Sequence, residues 1–179
     1  EIAWQTDRDG FDDIRLAFVP DSGLLDTIDI QCRHRQAFTG GDSKFQDLVA
    51  DSVGFVREYE GSVPVTHALA IVVDWASPAN RDMRDLCDLA RSYPTLEGFQ
   101  ANLDVVRGKL FQRWKHAQKA AKGLCTDEEL FRALQVLRID SVDIEQESSP
   151  ARIQILEELS SFWTPPDRHR GIALVGAIF

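Results

Sequence analysis

The run ALAIVV, at positions 68 to 73, limits the folds open to this chain more than any other stretch. It is short and wholly apolar, and turn-forming residues lie on both sides of it. Such a run is typical of a strand that is buried on both faces, in the middle of a sheet. Because a strand of this kind has to be covered, the sequence predicts a layered domain.

Strands and helices alternate around this run. Segments 13–19 and 27–33 have the alternating pattern of strands, and the turn sequence PDSG between them predicts a β-hairpin. The other predicted elements are helices at 44–59, 77–92, 96–103, 105–122, 127–135 and 150–162, and a late strand at 136–145. The predicted fold is an α/β domain with a small mixed central sheet (N-terminal hairpin, buried strand and late strand) flanked by helices.

Several helix ends carry recognisable signals. Asp42 or Ser43 is a candidate cap for the helix at 44–59, and Pro78 suits a first helical turn. The sequence TDEE at 126–129 matches a capping box, and Gly123 suits the end of the preceding helix.

The chain has 179 residues, which corresponds to one domain. We divide it into a motif-bearing core at 1–75 and a helical part with the late strand at 76–179. Because the chain begins at Glu1 without a methionine, we expect a fragment of a longer multidomain protein. No apolar run approaches the roughly 20 residues of a membrane span. The three cysteines are odd in number and lack CxxC spacing, which predicts reduced thiols in a cytoplasmic protein.

Charge is distributed unevenly along the chain. The net charge is −9, yet segment 107–122 carries +6 and no acidic residue, which leaves −15 for the remainder. This basic segment is either a solvated helix face or a surface that docks on phosphate or on acidic protein. Trp114 and Phe111 within it have the spacing of core residues. The candidate DNA-binding residues here are Arg107, Lys109, Arg113, Lys115 and Lys119.

The strand sequence TIDIQCR raises a chemical question. Its apolar positions are expected to face the core, which leaves Asp29, Gln31 and Arg33 on the other face. These polar residues form either a solvated edge or a site for metal and phosphate. Asp29 is a candidate second ligand, although an ion pair with Arg33 or Arg15 at the surface is the simpler interpretation.

Metal-dependent phosphodiester hydrolysis needs hard oxygen ligands and a cation near the phosphate. The start of the first hairpin strand supplies Asp12 and Asp13. The second strand supplies Gln31 and, two residues later on the same face, Arg33. Each pair also has an ordinary interpretation, as turn residues or as solvated strand positions.

The segments WQTDRDGFDDIRLAF, TIDIQCRHRQAF, DSKFQDLVADSVGFV and ALAIVVDWASP together resemble the PD-(D/E)xK, restriction-endonuclease-like family. More narrowly, they resemble the N-terminal nuclease-type domains fused to P-loop NTPase sensors in bacterial antiviral defence proteins. The resemblance implies that Asp13, or its neighbour Asp12, binds Mg²⁺ together with the amide oxygen of Gln31. Arg33 stands where the family has lysine.

The resemblance further implies an endonuclease acting on double-stranded DNA, a homo-oligomer, and an NTPase or sensor domain in the full-length protein. Arg35 and the basic segment would then hold the DNA backbone. Arginine is a poor general base, so two alternatives stay open. The domain could bind DNA or protein without cutting, or it could be a scaffold that has no affinity for nucleic acid.

Overall fold

The computed structural model describes residues 2–4, 14–18, 26–33, 36–58, 67–73, 77–106, 108–141, 150 and 153–154. Within these parts, five strands and five helices are formed. The strands are β1 (Ile2–Trp4), β2 (Ile14–Phe18), β3 (Asp26–Arg33), β4 (His67–Val73) and β5 (Leu137–Ser141). The helices are α1 (Ser43–Glu58), α2 (Pro78–Arg91), α3 (Leu96–Val106), α4 (Lys109–Ala120) and α5 (Asp127–Val136).

The five strands form one mixed sheet in the order β1-β2-β3-β4-β5. Strands β1, β2 and β3 are antiparallel neighbours, whereas β3, β4 and β5 run parallel. Helix α1 connects β3 to β4, as parallel neighbours require a crossover. The predicted mixed α/β sheet and the predicted pairing of the first two long strands are both confirmed.

One face of the sheet lies under the helices. Helix α5 packs on β4 and α2 packs on β5, while α5 also contacts α1, α3 and α4. Leu69, Ile71 and Val73 of β4 are buried in the core on this face, but Ala70 and Val72 on the opposite face are only half-buried. The prediction that both faces of β4 are fully buried is therefore wrong, because the described helices that pack on the sheet do so from one side.

The predicted cap residues hold the helix ends in place. Asp42 Oδ1 accepts a hydrogen bond from the Lys44 N–H at 2.9 Å, at the start of α1. Ser77 caps α2, with Pro78 in its first turn. Thr126 and Glu129 form the full capping box of α5, in which each side chain accepts from the other's backbone N–H.

Glu129 also ties α5 to α1. Its Oε1 accepts a hydrogen bond from Arg57 Nε at 2.7 Å, and Arg57 Nη2 donates to the Leu124 carbonyl at 2.8 Å. The bond from Arg57, followed by the bond from the Thr126 backbone, lowers the pKa of Glu129 to about 2. Glu129 therefore stays ionised, and keeps both contacts, well into the acidic range.

The boundary between α3 and the basic helix differs from the prediction, since α3 extends to Val106 and not only to 103, and two other predicted elements lie partly outside the described residues. The basic helix begins at Lys109 and not at 105. Gly108 has a φ of 115°, which is not a helical value, so α3 and the basic helix are separate helices. The late strand is described for Leu137–Ser141, and its predicted continuation to 145 lies outside the described residues. Of the predicted helix at 150–162, only 150 and 153–154 are described.

No helix in the described segments has the length and apolar character needed to cross a bilayer. All three cysteines are described, and none forms a disulfide.

Thiol reactivity offers a direct check of how β3 is oriented. Cys32 is exposed, Cys125 is half-buried, and burial raises the pKa of Cys87 to about 12. Because thiolates are the reactive form, we expect a thiol reagent at neutral pH to modify Cys32 first, Cys125 more slowly, and Cys87 only after unfolding. The measurement is a timed labelling reaction with mass-spectrometric readout. A fast phase that survives Cys32→Ser would contradict the orientation of the strand.

Candidate functional site

Strand β3 directs its polar side chains to the helix-covered face of the sheet. Asp29 pairs with Leu69, and Gln31 pairs with Ile71, in the parallel ladder between β3 and β4. Residues paired in this way project from the same face. Asp29 is 1% exposed and Gln31 is 8% exposed. A carboxylate and an amide therefore lie beside the apolar core and not at a solvated edge.

The predicted orientation of this strand is thus reversed. Ile28 and Ile30 are only half-buried, and Cys32 is exposed. Alternation along β3 correctly separates two sets of side chains, but it does not say which set lies under the helices. The apolar residues of β4 and β5 decide that, since they form the face on which the helices pack.

Burial of Asp29 has an energetic consequence. An ionised carboxylate inside a protein is costly unless a charge or hydrogen bonds compensate it. In the antiparallel β2–β3 ladder, the residue opposite Asp29 is Arg15. An ion pair between these two positions is one of the sequence interpretations; the register agrees with it, but the surface location expected for Asp29 is wrong.

Arg33 completes the polar face of β3. It is half-buried at the carboxyl end of the strand, opposite Val73 and two residues beyond Gln31. The predicted site residues Asp12 and Asp13, and the predicted DNA contacts Arg35 and Arg107, lie outside the described residues. Among the residues that are described, no three His, Cys, Asp or Glu side chains gather as a metal-binding group.

The donor chemistry on this face nevertheless suits a hard cation. Asp29 and Gln31 offer carboxylate and amide oxygens, which are ligands that Mg²⁺ accepts in proteins. Mg²⁺ is bound by oxygen ligands, so it needs no nitrogen or sulfur ligand from the chain. The described residues thus match Mg²⁺ in kind, and a further acid from the sequence before β2, Asp12 or Asp13, would be needed to complete a site.

A short segment, residues 36–42, follows the motif strand and leads into α1; we call it the β3–α1 loop. Gln36, Phe38 and Gly40 are buried, and the residues between them are exposed. Gln36 Nε2 donates to the Ala37 carbonyl at 3.0 Å and reaches Asp42 Oδ2 at 3.5 Å. The loop therefore has a fixed inner side and an outer side made of small residues.

Helix α4 clamps this loop. Arg113 Nη1 donates to the Phe38 carbonyl at 2.9 Å, and the Gly40 N–H donates to His116 Nδ1 at 3.4 Å. A Cβ added at Gly40 would lie 2.6 Å from the Lys119 Cβ, so the backbone of the loop lies directly against the helix. The clamp joins the basic helix to the segment that follows Arg33.

The basic residues of α4 divide into two groups. The Arg113 side chain is 17% exposed, and besides Phe38 it faces Asp82 of α2, at 3.9 Å. Lys109, Lys115 and Lys119 are exposed. Arg113 holds the fold together, so we leave it out of any DNA-binding surface. Trp114 is buried, as its spacing predicted.

Sequence reasoning assigned no role to His116 and did not connect the glycine pair of the loop with α4. The sequence TGGDS marks a loop, and a glycine can also signal that another backbone or side chain approaches closely. Nothing in the sequence identifies α4 as the neighbour.

A cleft lies at the carboxyl end of β5. It has an empty volume of about 160 Å³, and it is lined by Asn80, Arg81, Arg84, Ile139, Asp140 and Ser141. Pockets for small molecules are usually about 300–1,000 Å³. This cleft is too small for such a ligand, and it mixes arginine with aspartate, so it does not define a site.

Comparisons of the chain with protein-family models, with curated proteins and with solved structures found no match.

Proposed function

We propose that this chain is a restriction-endonuclease-like domain that hydrolyses DNA with the help of Mg²⁺. The observation that carries the proposal is the polar face of β3. Asp29, Gln31 and Arg33 share the inner face of one strand, in a mixed sheet of the predicted kind. Burial of an acid and an amide, with a half-buried cation beside them, costs desolvation energy even where partners offset part of it, and such groups cluster at functional sites.

The register between β2 and β3 supports a contribution to the site from the acidic residues that precede β2. Asp13 lies outside the described residues, but it precedes Ile14, which pairs with Ile30. In the sequence, Asp13 and Gln31 are therefore the residues next to the two members of this last described pair. We therefore assign Asp13 as the principal acidic ligand, with Asp12 as its alternative and Gln31 as the amide ligand.

When bound, Mg²⁺ supplies Lewis-acid polarisation of the phosphate and a reactive water. The chain itself contributes orientation and charge. Arg33 can place its planar guanidinium on phosphate oxygens and stabilise the charge that develops during hydrolysis. Since arginine stays protonated, Arg33 does not remove a proton from water, unlike the lysine of the family pattern.

This substitution supports a second candidate function. A domain with Arg33 in place of lysine, and Gln31 in place of an acid, could bind DNA without cutting it. Both candidates share the DNA-binding surface and differ only in turnover. The proposed context is the same for both: a defence protein with a fused NTPase or sensor domain, working as a homo-oligomer.

Cleavage of plasmid DNA by the full-length protein tests the first candidate. We expect Mg²⁺-dependent cleavage that Asp13→Ala and Gln31→Leu each reduce by at least about 100-fold, since even the outer partners of metal ligands are worth 10–100-fold. Asp47→Ala, at an exposed position of α1, is the matched control and should cleave like the wild type.

The outcomes separate the two candidates. Wild-type protein that binds DNA but never cuts it, with Mg²⁺ and with the fused domain activated, supports the non-cutting alternative. Cleavage that is unchanged by Asp13→Ala and by Gln31→Leu would refute the site. Arg33→Lys restores the family residue, and we expect it to keep or raise the cleavage rate.

A further inference from the structure

We propose that three lysines, Lys115, Lys119 and Lys122, bind the phosphate backbone of double-stranded DNA. We call this set the lysine face. The inference depends on the proposed function for the identity of its ligand, but it concerns binding alone and does not require cleavage. It also reduces the set of candidate DNA-binding residues in the basic segment. Arg113 and Lys109 belong to the run of positive charge, but they are not part of the lysine face.

Helix α4 and the turn that follows it carry the three lysines. Lys115 and Lys119 are four residues apart on the helix, so they lie on one face, about 6 Å apart along its axis. Lys122 follows in a turn whose N–H donates to the Lys119 carbonyl. All three side chains are exposed, whereas the other side of the helix is buried through Trp114 and Ala117.

Arginine and lysine differ in their ion pairs within the described residues. In every ion pair between described residues, the cation is an arginine, as in Arg57–Glu129 and Arg132–Glu128. No member of the lysine face forms an ion pair with a carboxylate of the described parts. In a chain with a net charge of −9, three lysines that no described carboxylate pairs with are complementary to a polyanion.

The described contacts of Lys115 are with neutral side chains. Lys115 Nζ donates to Gln118 Oε1 at 3.0 Å and lies 5.3 Å from the centre of the Phe111 ring. Gln118 Nε2 in turn donates to Asp127 Oδ2 at 2.8 Å, and Asp127 forms no ion pair with Lys115 in the described residues. Glutamine side chains also bind phosphate oxygens in protein–DNA interfaces.

The position of the lysine face relative to β3 favours DNA over an acidic protein. Lys119 packs on Gly40 through its first side-chain carbons, and in the sequence the β3–α1 loop begins three residues after Arg33. A backbone held at Lys119 can therefore continue over the exposed small residues of the loop toward the proposed site. Duplex DNA has a charge about every 3.4 Å on each strand, so it can meet cations all along such a path.

Binding of a fluorescent DNA duplex in EDTA tests the inference without any cleavage. The variants are Lys115→Gln, Lys119→Gln and Lys122→Gln in the full chain, singly and together. Glutamine keeps the Cβ and Cγ atoms, so the packing of position 119 on Gly40 is preserved. Lys109→Gln is the matched control, because it removes the same charge from the same helix at a position off the lysine face.

Each lysine that contacts a phosphate should add about −0.9 to the slope of log K against log salt. The slope of the triple variant should therefore be shallower than that of the wild type by about 2.7. Between about 50 and 200 mM salt, the wild type should lose roughly 40-fold more affinity than the triple variant does. The control should keep the wild-type slope.

Two results would overturn the inference. One is a loss of binding by Lys109→Gln as large as that of the Lys119 variant, which would indicate diffuse attraction and no defined face. The other is wild-type binding to polyglutamate that equals binding to DNA. Because the assay contains no free metal, loss of slope in the triple variant supports the lysine face even where the protein does not cleave DNA.

Discussion

Replacing Gly40 with alanine is expected to destabilise the domain by about 1–3 kcal/mol, the usual range for an overfilled site. The added methyl group would lie 2.6 Å from Lys119 Cβ, 2.8 Å from Lys119 Cγ and 2.9 Å from the His116 carbonyl. None of these atoms is the mobile end of a side chain. Either the β3–α1 loop or helix α4 has to move, and the contacts from Arg113 and His116 to the loop are then strained.

The neighbouring glycine provides the control for this variant. A Cβ at Gly41 meets nothing within 4 Å, so Gly41→Ala should change stability by no more than about 0.5 kcal/mol. Urea unfolding followed by circular dichroism measures both variants. Equal stability of the two would mean that the loop is not held against α4 as described. If the clamp also aligns the DNA, Gly40→Ala should weaken binding to the duplex more than Gly41→Ala does.

Local chemistry explains what the sequence predicted well. The ends of α2 and α5 depend on residues a few positions apart, such as Thr126 and Glu129, so their signals are complete within a short window. The pairing of β2 with β3 has the same origin, because a turn sequence joins two alternating segments. These features could be read without knowing what packs on them.

The orientation of β3 could not be predicted in this way. Alternation divides its side chains into two sets, and the natural assumption places Ile28 and Ile30 inside. The helices instead pack on the other face, where Leu69 and Ile71 of the next strand dominate. The inner location of Asp29 is thus a property of the sheet as a whole, and it makes the polar face of β3 more unusual than the sequence indicated.

The roles of the individual cations in the basic segment could not be predicted from the sequence either. A run of like charges gives no means of separating cations that hold the fold together from cations that face solvent. Arg113 is distinguished from Lys115 and Lys119 by the contacts of its guanidinium with the Phe38 carbonyl and with Asp82. The glycine at 108 was visible, but its effect on the start of the helix was not, since glycine is tolerated within helices as well as between them.

Replacing Phe99 with alanine is expected to have the largest effect on stability, a loss of about 3–5 kcal/mol. Phe99 of α3 is fully buried, and its ring contacts Trp114 of α4 edge-on at 5.3 Å and Phe131 of α5 at 5.2 Å. One ring therefore joins three helices. Its removal leaves a cavity and ends two aromatic contacts, each worth about 0.5–1.5 kcal/mol beyond the buried area.

Val105 supplies the matched control, because it lies on the same helix and is 84% exposed. Val105→Ala should change stability by no more than about 0.5 kcal/mol. For a domain of this size, Phe99→Ala should lower the melting temperature by roughly 6–20 °C, measured by calorimetry. A melting temperature close to that of the Val105 variant would contradict the placement of α3 against α4 and α5. If the lysine face binds DNA as proposed, a folded Phe99→Ala protein should also bind the duplex more weakly, because Trp114 on the buried side of α4 loses its contact with Phe99.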